Sequence, residues 1–247
     1  MGLPKTPGEP SEDAAAHDLG LGRVAVADGA SRALGSGAWA QCLVHRFVTA
    51  PPRGFDPVRL RTWATAAADD WAAGVDLPSD APPYLVDAVA RGSAATLLGI
   101  LVDPSPAGTN SVWWRAVAIG DTCLFALRND SVVEAFPLDE PGQFNSTPAL
   151  IPTAATALAK AFHRPRTTRG ACGVGDSLLV MTDALARWTL RRAAQDGGVW
   201  RFLSRVERTR FEDTVRTLRD RQEVEADDIT FLRCRAVPAP APGAPGS

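Results

Sequence analysis

No CxxC pair occurs among the four cysteines, Cys42, Cys123, Cys172 and Cys234, so the spacing of a zinc ribbon or of a dithiol redox couple is missing. Each sits among apolar or small neighbours, where a free thiol behaves as a small hydrophobe, and all four are expected to be reduced and structural. An excess of one charge is missing too. Lysine and arginine total 26 against 28 aspartates and glutamates, a net charge of −2, so no overall field draws the chain to nucleic acid or anionic lipid. The longest apolar run, residues 94–102, has about half the length that a membrane-spanning helix needs. Residues 1–10 hold one lysine, three prolines and no apolar run, unlike a secretory signal, so a cytoplasmic protein without a membrane segment is expected.

The chain does have 247 residues and seven tryptophans, enough for one sizeable core and short for two. The expected organisation is a disordered N-terminal segment at 1–10, one domain at 11–235, and a disordered Pro/Ala-rich tail at 236–247, because such compositions favour solvated chain.

Residues 23–28 (RVAVAD) read as a short buried strand ending at an aspartate and a glycine, and residues 35–47 as a helix. Residues 56–73 open with an N-cap aspartate and a proline, and Leu60, Trp63, Ala67 and Trp71 follow at helical spacing. A further helix is expected at 84–90. Strands are expected at 94–103, 112–119, 122–128 and 131–136, the last two joined by an Asn129-Asp130 turn, and together they suggest an antiparallel meander. Residues 138–169 read as irregular, a candidate flap with one helix at 154–162. A strand at 176–182, helices at 185–194 and 210–221, and a last strand at 229–233 complete the pattern. Helices grouped between runs of strands imply an α+β layered architecture. Trp113 and Trp114 are expected as core on opposite sheet faces. The arginines from Arg187 to Arg210, interrupted by acidic residues, read as a solvated helical face.

Carboxylates recur where buried strands stop: Asp28 after VAVA, Asp121 after AVAI and a glycine, Asp183 after LLVM and a threonine, and Asp227-Asp228 before ITFL. A strand end holds an acidic side chain rigidly at a hydrated rim, the placement a divalent-cation site requires. Taken singly, each is more often a turn residue bonding nearby backbone N–H groups.

As an ordered set they carry a resemblance. SEDA at 11–14, VAVADGAS at 24–31, GSAATLLGIL at 92–101, AIGDTCLFALRND at 118–130, GDSLLVMTDAL at 175–185 and EADDITFL at 225–232 are similar, in order, to the motifs of the 2C-type (PPM) metal-dependent serine/threonine protein phosphatases, in a divergent bacterial-type form. The resemblance implies a four-layer αββα sandwich of two antiparallel sheets flanked by helices, with two Mn²⁺ or Mg²⁺ ions at one end and a weaker third. By motif, Asp28 would bridge both ions and the Gly29 carbonyl would bind one of them. Glu12 would complete the second ion with Asp13 beside it as an acceptor, Asp183 and Asp227 would complete the first, and Asp121 would help hold the third. Asp28, Asp183 and Asp227 would thereby serve hydrolysis of a phosphomonoester by a metal-bridged water. The implied substrate is a phosphorylated protein from a serine/threonine kinase system. No Cys-x5-Arg loop is present, which argues against the thiol-dependent phosphatases.

The chain departs from the family pattern at four places. Ala30-Ser31 follow the DG turn where a glycine pair and often a histidine stand, and His17, His45 and His163 fall elsewhere. The position of the phosphate-binding arginine is Gly8, leaving Lys5, Arg23 or Arg32 as replacements. Ala184 replaces the SDG glycine, a strain if that turn needs positive φ, and Asp228 replaces the asparagine of the DN pair. These departures motivate a second reading, a degenerate domain that binds a partner or phosphorylated segment without turnover; hydrolysis of small phosphorylated metabolites is a third.

Overall fold

The computed structural model describes residues 1–30, 33, 35–75, 80–103, 111–162 and 165–238. In chain order the strands are β1 (Gly2–Leu3), β2 (Ala14–Asp18), β3 (Arg23–Ala27), β4 (Ala94–Ala95), β5 (Leu97–Asp103), β6 (Ser111–Ile119), β7 (Cys123–Arg128), β8 (Ser131–Phe136), β9 (Ile151–Pro152), β10 (Arg166–Gly173), β11 (Ser177–Met181) and β12 (Ile229–Arg235). The helices are α1 (Ser36–Thr49), α2 (Pro57–Ala73), α3 (Pro83–Arg91), α4 (Ala155–Ala161), α5 (Asp183–Gln195), α6 (Gly198–Arg205) and α7 (Arg208–Asp220). Two five-stranded antiparallel sheets form, in the orders β1-β12-β11-β7-β8 and β10-β6-β5-β3-β2, beside a two-stranded ribbon of β4 and β9.

The alternation of β3 explains its place. Val24 and Val26 point between the sheets, where they meet Leu98, Ile100, Leu124 and Val180, while Ala25 and Ala27 face the opposite way, into the layer of α1 and α2. Helix α1 buries Trp39, Leu43 and Phe47 at helical spacing. It comes so close that a methyl group on Gly99 would stand 2.2 Å from the Phe47 ring. Asp56 caps α2 by accepting the Arg59 N–H at 3.1 Å, with Pro57 in the first turn. On the other outer face, Leu185, Leu203, Phe211 and Val215 from α5, α6 and α7 cover Phe125, Leu179 and Phe231 of the first sheet. The expected sandwich with helices on both faces is therefore present.

Several expectations require correction. The strands at 94–136 form no single meander: β5 pairs with β6 in one sheet and β7 with β8 in the other. The chain changes sheets at Gly120, whose φ of 105° suits a residue without a side chain. The start of the 1–10 segment is no solvated tail, since Gly2 and Leu3 pair with Thr230 and Ile229, whereas residues 5–10 are exposed. The irregular reading of 138–169 missed β10, where Gly170 lies under Trp114 so closely that a methyl would approach its ring to 2.5 Å. Helix α6 and strand β2 were missed as well, being short and interrupted by polar residues. Trp114 is buried between the sheets as expected, but Trp113, on the opposite face of β6, is 52% exposed. The Asn129-Asp130 turn is as expected, with φ of 52° and 61°. All four cysteines are free thiols. Among the described residues no helix is long and apolar enough to cross a membrane.

Register places the acidic strand ends together. In one sheet Val26 lies opposite Leu98 and Leu97 opposite Ile119; in the other, Met181 lies opposite both Cys123 and Phe231. Residues 28, 120–122, 182–183 and 227–228 consequently share one end of the sandwich.

Candidate active site

Asp28 leaves β3 with its backbone fixed on both sides. Its N–H donates to the Thr96 hydroxyl at 3.0 Å and its carbonyl accepts the Thr96 N–H at 2.8 Å. The Thr96 and Thr122 hydroxyls lie 2.9 Å apart, joining the rim of one sheet to the turn that begins the other. Gly29 must be glycine for packing reasons: a methyl there would stand 2.7 Å from the Ser36 carbonyl carbon and 2.8 Å from the Glu12 carbonyl oxygen. That oxygen accepts the Gly29 N–H at 3.2 Å.

Asp183 begins α5, where its carboxylate accepts the Ala184 N–H at 2.6 Å. Ala184 itself has no positive φ, so the missing glycine costs no strain. Asp13 accepts the Thr182 hydroxyl at 3.0 Å through one oxygen, while its other oxygen is buried without a partner. The carboxylate of Asp227 accepts the Asp228 N–H at 2.9 Å, and its carbonyl accepts from Arg219 at 2.6 Å. Asp121, only 6% exposed, lies in the turn between β6 and β7.

These carboxylates act on one another. Burial, then the charges of Asp13, Asp183, Asp227 and Asp121, push the Asp28 carboxyl up to about 10. Burial followed by Asp183 takes Asp121 to about 7. Asp13 also rises to about 7, chiefly through burial, with the Thr230 and Thr182 hydroxyls opposing and Asp228 and Asp183 adding to the rise. Burial lifts Asp183 to about 6 against the Ala184 N–H, with Asp227 and Glu225 adding and Arg187 opposing. Like charges crowded in a partly desolvated place produce this pattern.

Glu12 stands at the edge of the group. Its carboxylate accepts the Ser36 hydroxyl at 2.6 Å, while after burial the charge of Asp13 is the largest influence on Asp28. Among the described residues no three His, Cys, Asp or Glu side chains already converge as ligands of one ion. Charge and donor chemistry nevertheless suit a hard divalent cation: every donor is oxygen, one buried carboxylate oxygen lacks a partner among the described residues, and the carboxylates repel one another. A recess of about 390 Å³ opens beside Asp13, Ser11 and Thr230. Larger recesses, of about 490 and 580 Å³, lie elsewhere, one along the Asn129-Asp130 turn and one along α6, away from the carboxylates.

Of the cations proposed for phosphate, Arg23 is turned away. It donates to the Val48 and Thr49 carbonyls at 2.8 and 3.0 Å, at the far end of β3. Arg32 and His163 lie outside the described residues. His17 and His45 are exposed, on β2 and α1. Arg187, expected only as part of a solvated helical face, lies one turn after Asp183 on α5 and is ion-paired with Glu225. Sequence reasoning missed Arg219 and the three threonines at 96, 122 and 182. Thr182 was readable as the residue before an acidic strand end; Arg219 left no local signal.

A family model described as protein phosphatase 2C matches residues 5–227, and the chain belongs to that family. No curated protein sequence matches it significantly. Among solved structures it is similar to the serine/threonine phosphatase Stp1 from Staphylococcus aureus, at 14% identity and TM-score 0.58, covering 97% of this chain and 94% of that one. It is also similar to PstP/Ppp from Mycobacterium tuberculosis, at 16% identity and TM-score 0.57, with 96% and 97% covered. A structure of the PstP catalytic domain in complex with two manganese ions is 18% identical, with TM-score 0.57 and 96% of each chain covered. At these identities the likeness establishes a shared fold.

Proposed function

We propose that the chain hydrolyses phosphoserine and phosphothreonine in proteins with the help of divalent cations held by Asp28, Asp183, Asp227, Asp121, Glu12 and the Gly29 carbonyl. The observation that carries this reading is the convergence of carboxylates from separate segments at one end of the sandwich, each raising the proton affinity of others. Mn²⁺ or Mg²⁺ bound there would neutralise the transferring phosphoryl group and lower the pKa of an attacking water. The chain's own part is orientation. Thr96 holds the Asp28 backbone, the start of α5 holds Asp183, and Asp228 and Arg219 hold Asp227. Burial and the neighbouring carboxylates raise the proton affinity of Asp28, and a cation held there would compete with that proton. Asp13, hydrogen-bonded to Thr182, keeps one carboxylate oxygen aimed away from that bond, an acceptor for a proton or a bound water.

The second reading, a domain that binds without turnover, is favoured by Gly8 at the arginine position and by Arg23 facing the opposite end. Hydrolysis of p-nitrophenyl phosphate and of phosphothreonine peptides with added Mn²⁺, beside Asp28→Ala, separates the two. Metal-dependent turnover lost in the variant establishes catalysis. Absence of turnover together with absence of Mn²⁺ binding in calorimetry removes the catalytic reading.

A further inference from the structure

Segment 4–13 contains neither helix nor strand, yet it carries Glu12 to the site. Several of its polar backbone groups are taken up by two side chains that adjoin β12. Asp228, 7% exposed, accepts the Lys5 N–H with one carboxylate oxygen and the Glu12 N–H with the other. Arg219, on α7, donates to the carbonyls of Pro4 at 2.8 Å, Leu3 at 3.4 Å and Asp227 at 2.6 Å. An anion thus gathers the amides and a cation the carbonyls. Glu12 is bracketed as a result: its N–H goes to Asp228 before β12 in one sheet, its carbonyl to Gly29 after β3 in the other, and its carboxylate to Ser36. Gly37 supports the same segment, since a methyl there would lie 3.0 Å from the Ser11 carbonyl.

We propose that Asp228 is a positioning residue, whose carboxylate captures the Lys5 and Glu12 amides at once and so sets Glu12 at the rim of the cation site. This rests on the proposed function for its last step, the effect on cation binding. The requirement is for a carboxylate and not for its shape. Asparagine has one acceptor oxygen, and its NH₂ group would face whichever backbone N–H remained. Losing one such bond in a buried place leaves an unsatisfied donor, and loss of a residue that orients a metal ligand weakens metal affinity by about 10- to 100-fold.

The experiment uses the full chain, as wild type, Asp228→Asn, Glu12→Ala and the double variant, with circular dichroism to establish folding. Two readouts are taken without turnover: amide hydrogen exchange at Lys5 and Glu12, and Mn²⁺ affinity by calorimetry. Asp228→Asn is expected to speed exchange at one or both amides by about tenfold or more. It should weaken Mn²⁺ binding by at least about tenfold, an effect that vanishes when Glu12 is already alanine. Unchanged exchange, unchanged affinity, or an equal loss of affinity in the Glu12→Ala background would each overturn the proposal. If Asp228→Asn does not fold, the wild type decides alone: Lys5 and Glu12 must exchange at least about tenfold more slowly than Thr6 and Gly8. A wild type that binds no Mn²⁺ defeats the proposed function, and exchange alone then decides whether Asp228 holds the segment.

Discussion

The two ends of the sandwich both collect aspartates where strands stop, and they treat them in opposite ways. At the end formed by the β7–β8 turn and the start of β11, Asp130 accepts from Ser204 at 2.7 Å and pairs with Arg205 at 2.6 Å and Arg201 at 3.7 Å. Asp176 there accepts the Gly173 N–H at 2.9 Å and meets Arg128 at 3.3 Å. The Ser204 hydroxyl, with Arg205 and Arg201 adding to it, holds the Asp130 carboxyl below the usual range against the opposing effect of desolvation. At the other end Asp13, Asp28, Asp121 and Asp183 all rise, and Arg187 opposes the rise at Asp183. Where the fold needs only a turn, it neutralises the aspartate internally. Carboxylates that raise one another's proton affinity at one rim are the kind of feature expected of a functional site rather than of a turn.

This contrast can be broken most directly at Asp28. Asp28→Ala should lower metal-dependent phosphatase turnover by at least about a hundredfold, and phosphopeptide kinetics at saturating Mn²⁺ measure it; residual turnover within a few fold of wild type would detach the carboxylate cluster from catalysis. Next in size is the effect of the cation itself. At a hundredfold excess over its dissociation constant, Mn²⁺ should stabilise the wild type by about 2.7 kcal/mol, raising the melting temperature by roughly 5–10 °C for a chain of this size. Asp28→Asn should show little of that increase.

A third effect is expected in the pH dependence of stability without metal. Asp183 titrates at about 6 and Asp13 and Asp121 at about 7 in the folded chain, above the ordinary aspartate value of about 4. Between these values the folded state binds protons that the unfolded state has released, so stability declines as pH rises from about 4 to above 7. Urea titrations at pH 5 and pH 8 test this, and saturating Mn²⁺ should flatten the difference. A chain more stable at pH 8 without metal would contradict the crowding of charge. Asp130 runs the other way, its lowered pKa adding stability that is present above the unfolded value and disappears as pH falls. The smallest effect follows: Asp130→Asn should leave turnover unchanged and lower the melting temperature by at most about 3 °C, as suits exposed ion pairs.

Much of the fold was legible locally. The periodicity of Leu60, Trp63 and Ala67 and the capping by Asp56 define α2, and the alternating residues of β3 define both its faces. The carboxylates were legible because each follows or precedes a short apolar strand, and the order of the motifs tied them together. Legibility failed where partners are remote in sequence. Gly170 and its small neighbours in β10 read as loop because what makes them a strand is pairing with Trp114 and the rest of β6. Met1 to Leu3 read as tail because their partner is β12, more than two hundred residues away. Asp228 could not be assigned from its neighbours, since the amides it holds belong to Lys5 and Glu12.

By itself, the order of residues determined most helices and strands, the family and the identity of the acidic groups, for these depend on periodicity, capping and motifs within short stretches of chain. Only the tertiary structure decided that β6 and β7 part into different sheets, that Arg23 lies at the far end of β3 from Asp28, and that Asp13 joins the crowded carboxylates while Glu12 turns to Ser36. The reason is physical: whether a charge is neutralised or left exposed to its like depends on which distant segments meet it, and no local pattern records that.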